Sequence, residues 1–141
     1  MAYSTDADLI KVQQNILDLG VSDWNDQADE AALIIDRDVT IAWYQSASDA
    51  IGISDEFNPD LVIPDDQFVR LSVYKTLELA YLFLMQDAEE DPFRIKMKLF
   101  AVKYNAEFNK IIEDGIKYDW NSDGTGDDLA NTVVNSRRLV R

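Results

Sequence analysis

Apolar residues return at helical steps along most of this chain. Leu9, Val12, Ile16 and Leu19 are spaced by three or four residues, which predicts a first helix. Ser4 or Thr5 is a good N-cap for it, and Asp6 and Asp8 fall in its first turn, where acids favour the helix dipole. Gly20 is placed to stop it. A second helix is expected from Ser22 or Asp23 to near Gly52, with Ala28, Ala31, Ile35, Val39, Ala42 and Ser46 on one stripe. The small residues in its first half let another helix approach closely. Trp24, Trp43 and Tyr44 are large anchors expected in the core. Residues 53–64 read as a connection, because Asn58 and Ile63 each precede a proline and resist helix. Leu61, Val62 and Ile63 would dock this connection on the core, with room for a short strand.

A third helix opens at Asp65 or Asp66 and is almost wholly apolar from Leu77 to Met85, which predicts a central, surrounded position. An acidic turn, Asp87 to Asp91, follows. Pro92 then suits the first position of a long fourth helix, expected to run to about Tyr118. That helix carries two apolar stripes. At about 100° per residue, Phe93, Met97, Phe100, Tyr104, Phe108 and Ile111 share one side. Ile95, Leu99, Val102 and Ala106 fall about 200° round, on the opposite side. Lys96, Lys103, Lys110 and Glu107 lie along a flank between them. One stripe can face the chain's own core. The other needs a second partner, either an earlier helix of the same chain or another subunit; Ile95, Leu99, Val102 and Ala106 are the candidate subunit interface.

The fold class that follows is mainly α: a compact bundle of about four helices with a long C-terminal helix and an extended C-terminal arm. Residues 1–118 form the helical domain, and 119–141 form a polar loop and arm. The chain has 141 residues, 47% of them apolar, enough for one domain with its own core. No apolar run reaches the roughly 18 residues of a membrane helix. The N-terminus lacks the basic start and apolar centre of a signal peptide, so synthesis in the cytoplasm is expected.

There is no cysteine and no histidine. That removes disulfides, thiolate chemistry, the usual zinc sites and every triad built on histidine. Phosphate-binding and nucleophile-elbow glycine motifs are missing too. No enzymatic role is expected. The net charge of −14 is unevenly spread. Residues 1–66 hold 15 acidic and two basic residues, net −13, and residues 67–141 hold 12 acidic and 11 basic, net −1. The first half should therefore repel a nucleic-acid backbone. Solubility alone does not need this asymmetry.

One local motif could carry chemistry. Asp119, Asn121, Asp123 and Thr125, with Gly124 between, match the first half of a calcium loop. The match fails where the bidentate acid is due, at Ala130, and a polar turn explains the same residues. Apart from Ca²⁺ at this loop, no cofactor is expected. From Leu129 onward the chain reads as an arm whose Arg137, Arg138 and Arg141 could pin it to a partner by charge-assisted contacts.

The series as a whole is an acid-capped first helix (Tyr3-Ser4-Thr5-Asp6-Ala7-Asp8-Leu9), Leu19-Gly20, an alanine-rich second helix and a two-proline connection. A nearly apolar third helix, a long fourth helix and a polar arm complete it. It resembles the small head-to-tail connector proteins of tailed bacteriophages, also called neck adaptors or head-completion proteins. The resemblance implies a virion protein at the head–tail junction: a homo-oligomeric ring, usually of twelve copies, beneath the portal protein and joined to tail or neck proteins. It implies that the helical domain forms the ring wall and that the C-terminal segment, here tipped by Arg137, Arg138 and Arg141, reaches into the portal. Genome DNA would pass through without specific binding, and no membrane is involved. An acidic lining would keep phosphate from sticking. Two alternatives stay open: an acidic DNA mimic or binding module that occupies a DNA-binding protein, and a calcium-responsive helical protein.

Overall fold

The computed structural model describes residues 2–85, 92–121 and 127–128. The fold is mainly α. Its helices are α1 (Asp6–Val12), α2 (Asn25–Val39), α3 (Gln45–Ile51), α4 (Val69–Leu84) and α5 (Pro92–Asp114). Two short strands, β1 (Lys117–Tyr118) and β2 (Asp127–Asp128), pair antiparallel, Lys117 opposite Asp128. The chain forms two compact units. The first holds residues 1–35 and 68–109; the second holds 36–67 and 110–141. The expected boundary at residue 118 falls inside the second unit.

In the first unit, α1 begins where its sequence predicts. The Thr5 N–H donates to Asp8 Oδ2 at 2.9 Å, half of a capping box. The helix is shorter than expected, however. It stops at Gln13, and a 3₁₀ turn at Ile16–Asp18 replaces its second half. The Ile16 carbonyl is thereby freed to accept from Trp24 Nε1 at 2.9 Å. Gly20 lies beyond this turn at φ 90°, in the left-handed region.

Helix α4 is the centre of this unit. Tyr74, Leu77 and Tyr81 share one side, and Ser72, Thr76 and Phe83 the other. Tyr81 stacks on Phe100 at 5.9 Å and on Phe93 at 5.9 Å, both on α5. On the other side Ser72 exchanges a 2.7 Å hydrogen bond with Ser4, and Phe83 meets Trp24 edge-on. Leu9, Ile16, Trp24, Leu77, Ala80 and Phe100 complete the core. The prediction of a surrounded helix fails at one end, where Leu82 and Phe83 are exposed. The acidic segment 87–91 lies outside the described residues.

In the second unit the helical path continues from Val39 through a π turn, Thr40–Tyr44, into α3. Thr40 Oγ1 donates back to the Asp36 carbonyl at 2.6 Å. A π turn inserts one extra residue, so every later side chain moves round the helix. The predicted stripe survives only up to this turn. Ala28, Ala31, Ile35 and Val39 are buried, whereas Ala42 and Ser46 are exposed; Tyr44, Ala47 and Ser48 take their place inside. Gly52, at φ 75°, ends α3 as expected.

The connection docks through Val62, which bridges to Tyr118, and through the Leu61 carbonyl, which accepts from the Asp119 N–H at 2.7 Å. Residues Pro59–Leu61 form a 3₁₀ turn capped by Asn58 Oδ1, and the short strand expected over Leu61–Ile63 is reduced to the single bridge at Val62. Helix α5 ends at Asp114, four residues before the expected Tyr118, because Gly115 adopts φ 93° and its N–H closes on the Ile111 carbonyl.

Candidate interaction surface

The two stripes of α5 have different fates. On the inner side Phe100 and Tyr104 are buried, and Phe93, Met97, Phe108 and Ile111 are partly buried. The inner side is also tied to α4 by polar groups. Arg70 reaches Glu107 at 4.0 Å, and Lys75 Nζ sits 4.2 Å above the Tyr104 ring while pairing with Glu78 at 2.7 Å. On the outer side Ile95 is 67% exposed, Leu99 48% and Val102 66%, with Ala106 exposed beyond them. No described part of the chain covers this stripe. At 1.5 Å per residue it runs about 17 Å along the helix.

Cations frame the stripe on both flanks. Lys96 and Lys103 lie on one side, their ammonium groups drawn over the Tyr81 and Tyr74 rings at 5.5 and 5.7 Å. Arg94 and Lys98 lie on the other. Single exposed apolar side chains are ordinary, but several in line on one helix face mark an interaction site. Removing each of the three large ones from water against a partner is worth about 1–2 kcal/mol.

A second outward face lies on α2. Asp26, Asp29, Glu30 and Leu33 are all exposed and recur at helical spacing, opposite the buried Ala28, Ala31, Ala32 and Ile35. Leu33, 70% exposed, is the most exposed large apolar residue among those described.

The second unit is organised around an aromatic nest. Tyr44 stacks on Trp120, nearly parallel at 5.6 Å; Tyr118 lies 4.6 Å from Trp120 and 5.7 Å from Phe57; and Trp43 closes one side. The Asn58 N–H donates to Tyr118 Oη at 3.0 Å, and Tyr44 Oη donates to the Asp55 carbonyl at 2.7 Å. Burial pushes the Tyr118 phenol up to about 12, against a smaller opposing effect of the Asn58 N–H. Tyr44 is raised for the same first reason. Beside the nest runs a groove of about 660 Å³ whose lining includes Ser48, Asp49, Asp55, Glu56 and Phe57. Its polar wall is anionic, with the carboxylates of Asp49, Asp55 and Glu56.

The residues singled out from sequence are distributed as follows. Ile95, Leu99, Val102 and Ala106 share one exposed face. Asp119 is buried, its N–H held by Leu61, and Asn121 is exposed nearby. Asp123, Thr125, Arg137, Arg138 and Arg141 lie outside the described residues. Among the described residues no cluster of acids is arranged to hold a metal ion, and no helix is long and apolar enough to cross a membrane. The α2 face has a weaker sequence signal than that helix's buried stripe: the helical spacing of Asp26, Glu30 and Leu33.

No protein-family model, curated protein or solved structure matches this chain.

Proposed function

We propose that this protein is a structural assembly part, a ring-forming adaptor that joins portal to tail in a tailed phage particle. The observation that carries this reading is the exposed apolar stripe of α5, Ile95, Leu99, Val102 and Ala106. A helix packed on its inner side and apolar on its outer side is built for a protein partner. The acidic first half supports the reading as a surface past which DNA slides. The chain also holds no histidine and no cysteine. A DNA mimic is favoured less, since it has no use for an apolar stripe framed by lysines.

The test is the mass of purified protein with and without a portal, for wild type and Leu99→Asp. Wild type should form a ring complex with the portal. Leu99→Asp should keep the helical circular dichroism and melting temperature of wild type and lose assembly. A wild type that stays monomeric with portal present sinks the adaptor reading.

A further inference from the structure

We propose that the outer face of α5 docks on the carboxylate-framed face of α2 in a second copy of this chain. The inference rests on the assembly reading above and names the partner surface. The argument is charge complementarity around two apolar centres. On α5 the stripe of Ile95, Leu99 and Val102 is flanked by Arg94 and Lys98 on one side and Lys96 and Lys103 on the other. On α2 the exposed Leu33 has Asp26, Asp29 and Glu30 in the two turns before it. One turn further on, Arg37 is already occupied by Asp38 at 3.7 Å.

Two copies of the α5 face set against each other would bring cation flanks together around a two-fold axis. Two α2 faces would oppose carboxylates in a chain already at −14. The mixed pairing alone places opposite charges together and seats Leu33 among Ile95, Leu99 and Val102 as a side chain between ridges. Such a contact is heterologous. In any pair one copy keeps its α2 face free and the other its α5 face, so successive copies continue in one direction and close as a ring when the rotation permits. The charged rims lie at the edge of the contact, so its assembly should weaken as salt is raised.

Two variants decide the matter. Leu99→Asp spoils the α5 face and Leu33→Asp spoils the α2 face; both positions are exposed, so folding should be retained, as circular dichroism can check. Each variant alone should be monomeric by mass photometry. An equimolar mixture should give a one-to-one dimer and nothing larger, because only one intact pairing can form. Loss of assembly in Leu99→Asp but normal assembly in Leu33→Asp overturns the α2 assignment and leaves the adaptor reading standing.

If free wild type is monomeric, cross-linking reads the same contact. The chain has no native cysteine. Oxidised mixtures of Leu33→Cys and Val102→Cys should form the mixed disulfide on the order of tenfold faster than either variant pairs with itself. Equal rates, or no cross-linking, overturn the inference. The adaptor reading fails on a different result, the absence of any portal complex.

Discussion

The two compact units bury tyrosine hydroxyls in opposite ways. In the first unit Tyr81 Oη is buried with no hydrogen-bond partner among the described residues, and so is Thr76 Oγ1 on the same helix. In the second unit the Tyr118 and Tyr44 hydroxyls each bind backbone, at Asn58 and Asp55. The first unit is held by the shape of its side chains, with Tyr81 acting as a flat ring between Phe93 and Phe100. The second has short segments and little regular structure to align them. Its hydroxyls do that work, fixing the 53–64 connection onto the nest. A buried hydroxyl that binds nothing costs about 1–3 kcal/mol, and one that satisfies a part-buried N–H, as Tyr118 does for Asn58, spares part of that cost. Chemically identical groups therefore act with opposite sign.

The largest effect should come from the first unit's shape. Trp24→Ala should lose about 3–5 kcal/mol in denaturant unfolding, from the cavity left behind and the freed Ile16 carbonyl. Next comes the contrast itself. Tyr118→Phe removes the acceptor of the part-buried Asn58 N–H and should cost about 0.5–1.5 kcal/mol, whereas Tyr81→Phe should be neutral or stabilising by less than about 1 kcal/mol. Equal losses in the two variants would break the comparison. Alkaline pH offers a third measurement. The folded state holds the Tyr118 phenol at about 12, above its ordinary value near 10. Above pH 10 the unfolded chain releases that proton first, so stability should be full below pH 10 and fall towards pH 12. Tyrosinate absorbance should rise together with loss of helical signal. Tyr81, also raised by burial, adds in the same direction. The smallest effect on the isolated chain should be Leu99→Asp, within about 0.5 kcal/mol. A large loss there would place the outer stripe in a core after all.

Much of the first unit was legible because its signals are local. Thr5 and Asp8 announce α1 within one turn, Pro92 opens α5, and the inner stripe from Phe93 to Phe108 follows from period alone. The outer stripe was legible for the same reason, and its exposure was left open because exposure depends on where other helices lie. The second unit was much less readable. Its nest draws Tyr44, Phe57, Tyr118 and Trp120 from three distant segments, and no periodicity links them. Trp120 lies between Asp119 and Asn121 in the cation-loop match, a pattern that carries no sign of its stacking on Tyr44. Gly115 stops α5 at φ 93°, short of the expected Tyr118, and the apolar Ile116 that follows it continues the chain as buried core without helix. The π turn had no sequence signature, so the second half of the Ala28 stripe was extended in the wrong phase.

That π turn has a consequence for how the protein can change through time. Residues 40–44 contain one residue more than a regular helix would need to span them. Exchange of Ala42 for another small or polar residue should pass unnoticed, since its side chain points to water. Loss of Ala42 should be tolerated as well. Without the extra residue the segment can close as a regular α-helix that leaves Tyr44 facing Trp120 and Tyr118. In a lineage of this protein, a one-residue deletion should therefore be accepted here, whereas one elsewhere in the helix would turn every later side chain by about 100°.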